Sequence, residues 1–274
     1  MLPTWLAPNP RLPSTPTFGP AQRGVIDPAG IPALCEDLAQ CPRHAATPLV
    51  ALPALARQLG LGEIRVKDES QRFGFGAFKA LGGVIAVYDV LARAVREAKK
   101  VDASFADIMN GVHKDVTGRF VFATASSGNH GRAVAWAAQR MGVSCRIYMN
   151  EVVSPGRARA IEAYGASVIR VPGTYDDALQ RCHDDAENDG SYVISDVAQA
   201  AYPDVPAHTM HGYAMLGQEL ADGADDATHV FVGAGIGALA GAITGRLWQR
   251  LGADRPRVVV VEPLTADAVY RSEE

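Results

Sequence analysis

From residue 119 onward, short apolar runs alternate with longer amphipathic segments, and that regularity leaves few folds open. FVFATA, CRIYM, SVIRVP, YVISD, THVFVGAG and RVVVVEP read as strands. Between them HGRAVAWAAQRMG, SPGRARAIEAYG, TYDDALQRCHDDAEN, HGYAMLGQELAD and GALAGAITGRLWQRLG read as helices. Ser154 and Pro155 open the second of these helices and Gly165 stops it. Strands joined through helices at this spacing build an α/β fold of parallel sheets with helices on both faces.

The earlier part is less regular. Residues 1–30 are rich in Pro and Gly and read as an extended arm over the surface. Helices are expected over 31–40 and after Pro53. EIRVKDES is a short strand with Ile64 and Val66 on one side and Arg65 and Lys67 on the other. KALGGVIAVYDVLARAVREAKK has helical length and apolar spacing, and residues 99–118 read as a polar excursion between core elements.

Hydrophobic content of 48% and charged content of 20% fit a folded globular chain. The net charge of −4 gives no reason to expect nucleic acid or an anionic membrane as partner. No apolar stretch reaches the length of a membrane span, and the Pro-rich N-terminus lacks the pattern of a signal peptide, so a cytoplasmic location is expected. Cys35, Cys41, Cys145 and Cys182 have no metal-type pairing and read as reduced structural thiols. Arg157 and Arg159 read as solvated arginines on a surface helix.

Three stretches carry chemistry. In GAGIGALAG (233–241), glycines between a strand and a helix let backbone amides approach a phosphate at a helix N-terminus. The same residues, Gly233, Ala234, Gly235, Ile236, Gly237 and Ala238, also fit the dinucleotide pattern G-x-G-x-x-G/A. Glu262 then ends the next strand where a ribose-binding acid could sit, which keeps a nicotinamide oxidoreductase open as an alternative. ATASSGNHGRAVAW (123–136) offers a second anion site, with hydroxyls from Ser126 and Ser127, the amide of Gly128 and a side-chain donor from Asn129; capping alone would also explain a Ser or an Asn there. KDESQRFGFGAFKALGG (67–83) places Phe78 and Lys79 after a glycine run that reads as a flexible turn. Lys79 is either a solvated helix start or an amine that forms a Schiff base.

Lys79 in AFKALGG, then SSGNHG, then the late GAGIGA loop resemble, in that order, the fold-type II pyridoxal-phosphate enzymes, the group of threonine dehydratase, serine racemase and tryptophan synthase β. Within the group, KDESQRFGFGAFKALGG, GNHGRAVAWAAQRMG, SDVAQAAYPDVPAHTMHGY and VVVVEPLTADAVYRS look most like the diaminopropionate ammonia-lyases. The resemblance implies two open parallel-sheet domains: a small one over 119–190, and a discontinuous large one over 1–118 and 191–274 that is incomplete at its C-terminal side. It implies pyridoxal 5'-phosphate held by Lys79 beside Phe78, by Asn129 at the ring oxygen and by Gly233 to Ala238 at the phosphate. Ser126, Ser127 and Gly128 then hold the carboxylate of a small amino-acid substrate. The resemblance implies Lys79 and Asp196 as the catalytic residues, although Asp196 reads equally well as a loop or cap residue at a strand end.

The implied reaction is elimination of ammonia from 2,3-diaminopropionate, by a homodimer if the chain is complete in the cell. A serine or threonine dehydratase and an inactive truncated remnant are the other readings. The chain departs from the resemblance in carrying Ser127 where enterobacterial members have an aspartate, and in its shorter length; residues 1–274 alone are expected to be a poor catalyst.

Overall fold

A computed structural model of the protein describes residues 17–24, 26, 30–41, 43–195 and 205–272. Helices α1 (Pro20–Arg23) and α2 (Gly30–Ala39) precede an antiparallel pair, β1 (Leu49–Ala51) and β2 (Arg65–Lys67), with α3 (Pro53–Leu59) between its strands. A 3-10 turn (Glu69–Gly74) leads into the long α4 (Lys79–Lys99) and the short α5 (Phe105–Met109) and α6 (Lys114–Thr117). The alternating region follows: β3 (Val121–Ala125), α7 (Asn129–Arg140), β4 (Ser144–Asn150), α8 (Pro155–Glu162), β5 (Ser167–Val171), α9 (Tyr175–Asp189) and β6 (Tyr192–Val193). After it come α10 (Val205–Gly223), β7 (His229–Gly233), α11 (Ala238–Leu251), β8 (Arg257–Val261) and α12 (Ala268–Arg271).

β3 to β6 form one parallel sheet in the order β5-β4-β3-β6, and β7 pairs in parallel with β8. The two-residue period of β3 sets the layers. Phe122 packs with Ile147 of β4 and the apolar side of α7, while Ala123 and Ala125 face Ala178, Cys182 and Ala186 of α9. Helices therefore cover both faces, as the alternation predicts. All four cysteines are free, and burial pushes the Cys145 and Cys182 thiols up to about 12, which makes them inert packing groups.

Four local features add to the sequence reading or depart from it. In β2 it is Val66 that faces solvent, 45% exposed, while Arg65 reaches Asp226 and Lys67 reaches Glu219; acidic partners decide which side turns inward. Strand β1 exists only through its pairing with β2, a non-local contact with no local signature. Within the stretch read as a polar excursion, Ser104 and Asp107 form a capping box that starts α5 and buries Phe105 and Ile108. Most of the proposed arm lies outside the described residues. Its described part holds a helical turn at α1, an edge-on contact of Phe18 with Trp248, and Ile26 buried against Gly245 of α11.

The centre of the molecule is α4, whose Leu81, Val84, Ile85, Val87, Leu91 and Val95 are all fully enclosed. Small residues let it lie unusually close to two neighbours. A Cβ added at Gly82 would stand 2.6 Å from Thr209 and 2.7 Å from Tyr213 of α10, and one at Gly83 would stand 2.8 Å from Ala133 of α7. From the other side, a Cβ at Gly212 of α10 would meet the Leu81 carbonyl at 2.5 Å. Backbone cannot retreat as a side-chain tip can, so Gly212→Ala should cost about 1–3 kcal/mol through forced separation of α4 and α10. Chemical denaturation checks this against Gly62→Ala, a position with nothing within 4 Å, which should change stability by less than about 0.5 kcal/mol.

Candidate active site

Lys79 stands at the start of α4, directly after the glycine run, and is partly buried. The run itself is fixed rather than loose. Gly74 and Gly76 adopt left-handed backbone with φ of 74° and 72°, which glycine takes without a steric penalty. Phe73 is forced into the same region with φ of 50°, and its burial between His44 and Trp136 holds it there.

The anchor of the turn is Arg72, which has no exposed surface. Its guanidinium donates to both oxygens of Glu219 at 2.8 Å each and to both oxygens of Glu69 at 2.8 Å each. The Ala45 carbonyl at 3.0 Å and the Thr47 hydroxyl at 3.1 Å take further donors, and Lys67 adds a second cation to Glu219 at 2.6 Å. Burial works against the charge on Glu219, but hydrogen bonds from Arg72 and Lys67 outweigh it and hold its carboxyl below the usual range. Burial also opposes the charge on Arg72, and the two glutamates more than compensate, raising its pKa further. This cluster escaped sequence reasoning, although Glu69 and Arg72 at helical spacing were a local hint.

The second stretch joins β3 to α7. Ser126 is buried, and its Oγ accepts amide protons from Gly128 at 3.2 Å and Gly131 at 2.8 Å, so its oxygen organises the loop and only its hydroxyl proton remains to donate. Ser127 and Asn129 are exposed, and Gly128 is half-buried. His130 points away from the loop surface and bonds the Ile194 carbonyl through Nε2 at 3.1 Å, a structural contact. Arg157 departs from the expectation of a simply solvated side chain: its Nη1 donates to the Ser127 carbonyl at 3.1 Å and its chain lies along Gly128.

The third stretch joins β7 to α11. Gly233, Gly235 and Ile236 are exposed, and Gly237, at φ of 85°, opens α11 with no side chain capping its first amides. A Cβ built at Gly233 or Gly235 meets nothing within 4 Å. An open turn of uncapped amides at a helix N-terminus suits an anion such as phosphate. Glu262 does not stand free for a ribose: both its oxygens accept amide protons at the start of α12, from Val269 at 2.8 Å and Tyr270 at 2.9 Å.

Helix α10 draws these stretches together. Its Thr209 and Tyr213 meet Gly82, one turn along from Lys79, and its Met210 meets Gly241, one turn into α11. The Phe78 ring stands edge-on to Tyr213 with centroids 5.3 Å apart. Contact of Gly83 with Ala133 brings the first turn of α7 to the first turn of α4, and Arg132 of α7 also covers the Phe75 ring. Through these contacts α10 borders the early turns of both α4 and α11, and α7 packs on the early turns of α4. Asp196 lies outside the described residues.

A lysine at a helix start, flanked by two amide-rich turns and an aromatic, offers the amine, the phosphate cradle and the ring donor that pyridoxal phosphate requires. Residues 41–274 match the family model described as pyridoxal-phosphate dependent enzyme. The chain belongs to that family. It is 37% identical over 236 residues to a diaminopropionate ammonia-lyase of Salmonella typhimurium, covering 84% of this chain and 58% of that protein. The corresponding Escherichia coli enzyme is 39% identical over 233 residues, 82% of this chain and 56% of that protein. Holo diaminopropionate ammonia lyase from Escherichia coli superposes with a TM-score of 0.79 at 35% identity, covering 93% of this chain and 63% of that one. The chain spans somewhat more than half the length of these relatives, and its fold is that of the fold-type II enzymes.

Arg72→Met should destabilise the protein by about 3–5 kcal/mol in urea titrations, because it leaves two enclosed carboxylates without their main partner. Glu219 supplies a pH signature. Its folded pKa is depressed, so its contribution to stability is complete above the ordinary value of 4.5 and is lost as the pH falls through the lower folded value. Glu219→Gln should flatten that acid limb of the stability curve.

Proposed function

We propose that the protein is a pyridoxal-phosphate-dependent lyase that eliminates ammonia from 2,3-diaminopropionate; water then hydrolyses the released 2-aminoacrylate to pyruvate and a second ammonia. The observation that carries the reading is Lys79 at the start of a helix packed against α7 and α10, together with the uncapped turn that opens α11; similarity to diaminopropionate ammonia-lyases supports the substrate. Lys79 holds the cofactor's aldehyde and, when released, its amine takes the α-proton of the L-substrate. The amides from Gly235 to Ala238 hold the phosphate, the Ala234 amide being committed to the Val261 carbonyl at 3.0 Å, and Asn129 donates to the ring oxygen. The Ser126–Gly128 segment receives the substrate carboxylate, with Arg157 steadying that segment through the Ser127 carbonyl. Bound pyridoxal phosphate supplies the conjugated ring over which negative charge at the α-carbon spreads. Phe78 and Tyr213 form an apolar wall next to Lys79. Asp196 is assigned as an acid or base near the leaving group.

Borohydride reduction followed by peptide mapping should place the pyridoxyl label on Lys79. A label on another lysine would sink the assignment. Gly235→Val is the matching test of the phosphate loop. Since a Cβ there would meet nothing within 4 Å, folding should be unchanged while cofactor retention measured by absorbance drops. Turnover should favour the L-isomer, because a second base is needed for the opposite face of the carbon and the exposed Ser127 hydroxyl is a poor one. Equal rates on D- and L-2,3-diaminopropionate would show that another residue supplies that base.

A further inference from the structure

Asp89 of α4 faces His208 and His211 of α10 where the two helices cross. The Asp89 Oδ2 lies 2.8 Å from His208 Nδ1 and 4.0 Å from His211 Nδ1. One donor atom from each residue lies within 4.8 Å of the other two. Spacing of three along a helix puts both imidazoles on the same face. The cluster is neither sealed nor fully solvated: the side chains are 12%, 25% and 21% exposed for His208, His211 and Asp89. A cavity of about 170 Å³ adjoins it, lined by Asp37, Tyr88, Asp89 and His211 among others.

We propose that Asp89, His208 and His211 form a binding site for a divalent transition-metal ion of zinc type, joining α4 to α10. Two imidazole nitrogens and one carboxylate oxygen are donors zinc takes, and the adjoining cavity has room for water as a fourth ligand. A tetrahedral ion with bonds of about 2.1 Å sets its donors about 3.4 Å apart, a value that falls between the two separations found here.

Arg93 decides the sign of the most telling test. Its Nη2 stands 2.6 Å from His208 Nε2. A guanidinium only donates, so Nε2 is the acceptor and Nδ1 carries the proton given to Asp89. An ion at Nδ1 moves that proton to Nε2, with no change in the charge of the ring, and the Arg93 N–H then faces another N–H. Arg93 must swing away, so it competes with the ion. Bound, the ion ties together the helix that presents Lys79 and the helix that links it to the phosphate loop. Its effect is on the stability of that crossing, independently of the reaction assigned above.

The test titrates the full purified chain, with cofactor bound, with Zn²⁺ by calorimetry and with Co²⁺ by visible absorption. One saturable equivalent is expected, with a Tm that rises with Zn²⁺ concentration. His208→Gln and His211→Gln should each weaken binding by at least about tenfold. Arg93→Met should tighten it several-fold, the opposite of what loss of a merely structural contact would do. No saturable equivalent, unchanged affinity in both folded histidine variants, or weaker binding in Arg93→Met would overturn the site. If a histidine variant fails to fold in the absence of metal, the direction of the Arg93→Met change decides.

Discussion

A guanidinium removed from water must be met by opposite charge and by hydrogen bonds, or the fold cannot hold it. Arg72 has no exposed surface, and Glu69 and Glu219 meet it from two directions, one beside it in the turn and one across the molecule on α10. That geometry makes the glycine run before Lys79 a fixed bracket. The left-handed glycines let the chain reverse, Phe73 is pressed into the core in an unfavourable backbone conformation, and the ion cluster ties the start of the turn to α10. The lysine that follows inherits a defined position from a charge several residues earlier.

The same helix, α10, serves as the common wall of the site. Close approach at Gly82 and Gly212 sets its distance from α4, and Met210 against Gly241 sets its place beside α11. Interiors are packed densely enough that one methyl at such a crossing displaces backbone. The separation between the starts of α4 and α11 is thus fixed by the absence of side chains at a few glycines. Arg157 does comparable work on a smaller scale, holding the Ser127 carbonyl so that the following amides keep their direction. A metal ion between Asp89, His208 and His211 would brace the α4–α10 contact at a further point along it.

Much of this was legible beforehand. The alternation after residue 119 predicts the parallel sheets and their helical cover, because a strand's period and a helix's period are local properties. Glycines between a strand and a helix announce the turns that open α7 and α11 for the same reason, and Lys79 stands out through its neighbours Phe75, Gly76 and Phe78. Strand β1 and the burial of Arg72 against Glu219 were not legible, since each depends on a partner distant in sequence. The direction of Val66 escaped for a related reason: alternation shows that two sides differ, and only the tertiary partners decide which one faces inward.

The sequence by itself determined the fold class, the order of the three glycine-rich stretches and the place of Lys79 at a helix start, all of which follow from short-range pattern and residue type. Tertiary structure decided which groups meet. It committed the Ser126 oxygen to its own loop, turned Glu262 into a helix cap, set Arg157 on a carbonyl and gathered Asp89, His208 and His211 at one crossing. The reason is geometric: hydrogen bonds and coordination act over a few ångströms in space, and chain distance does not report that separation until the helices have packed.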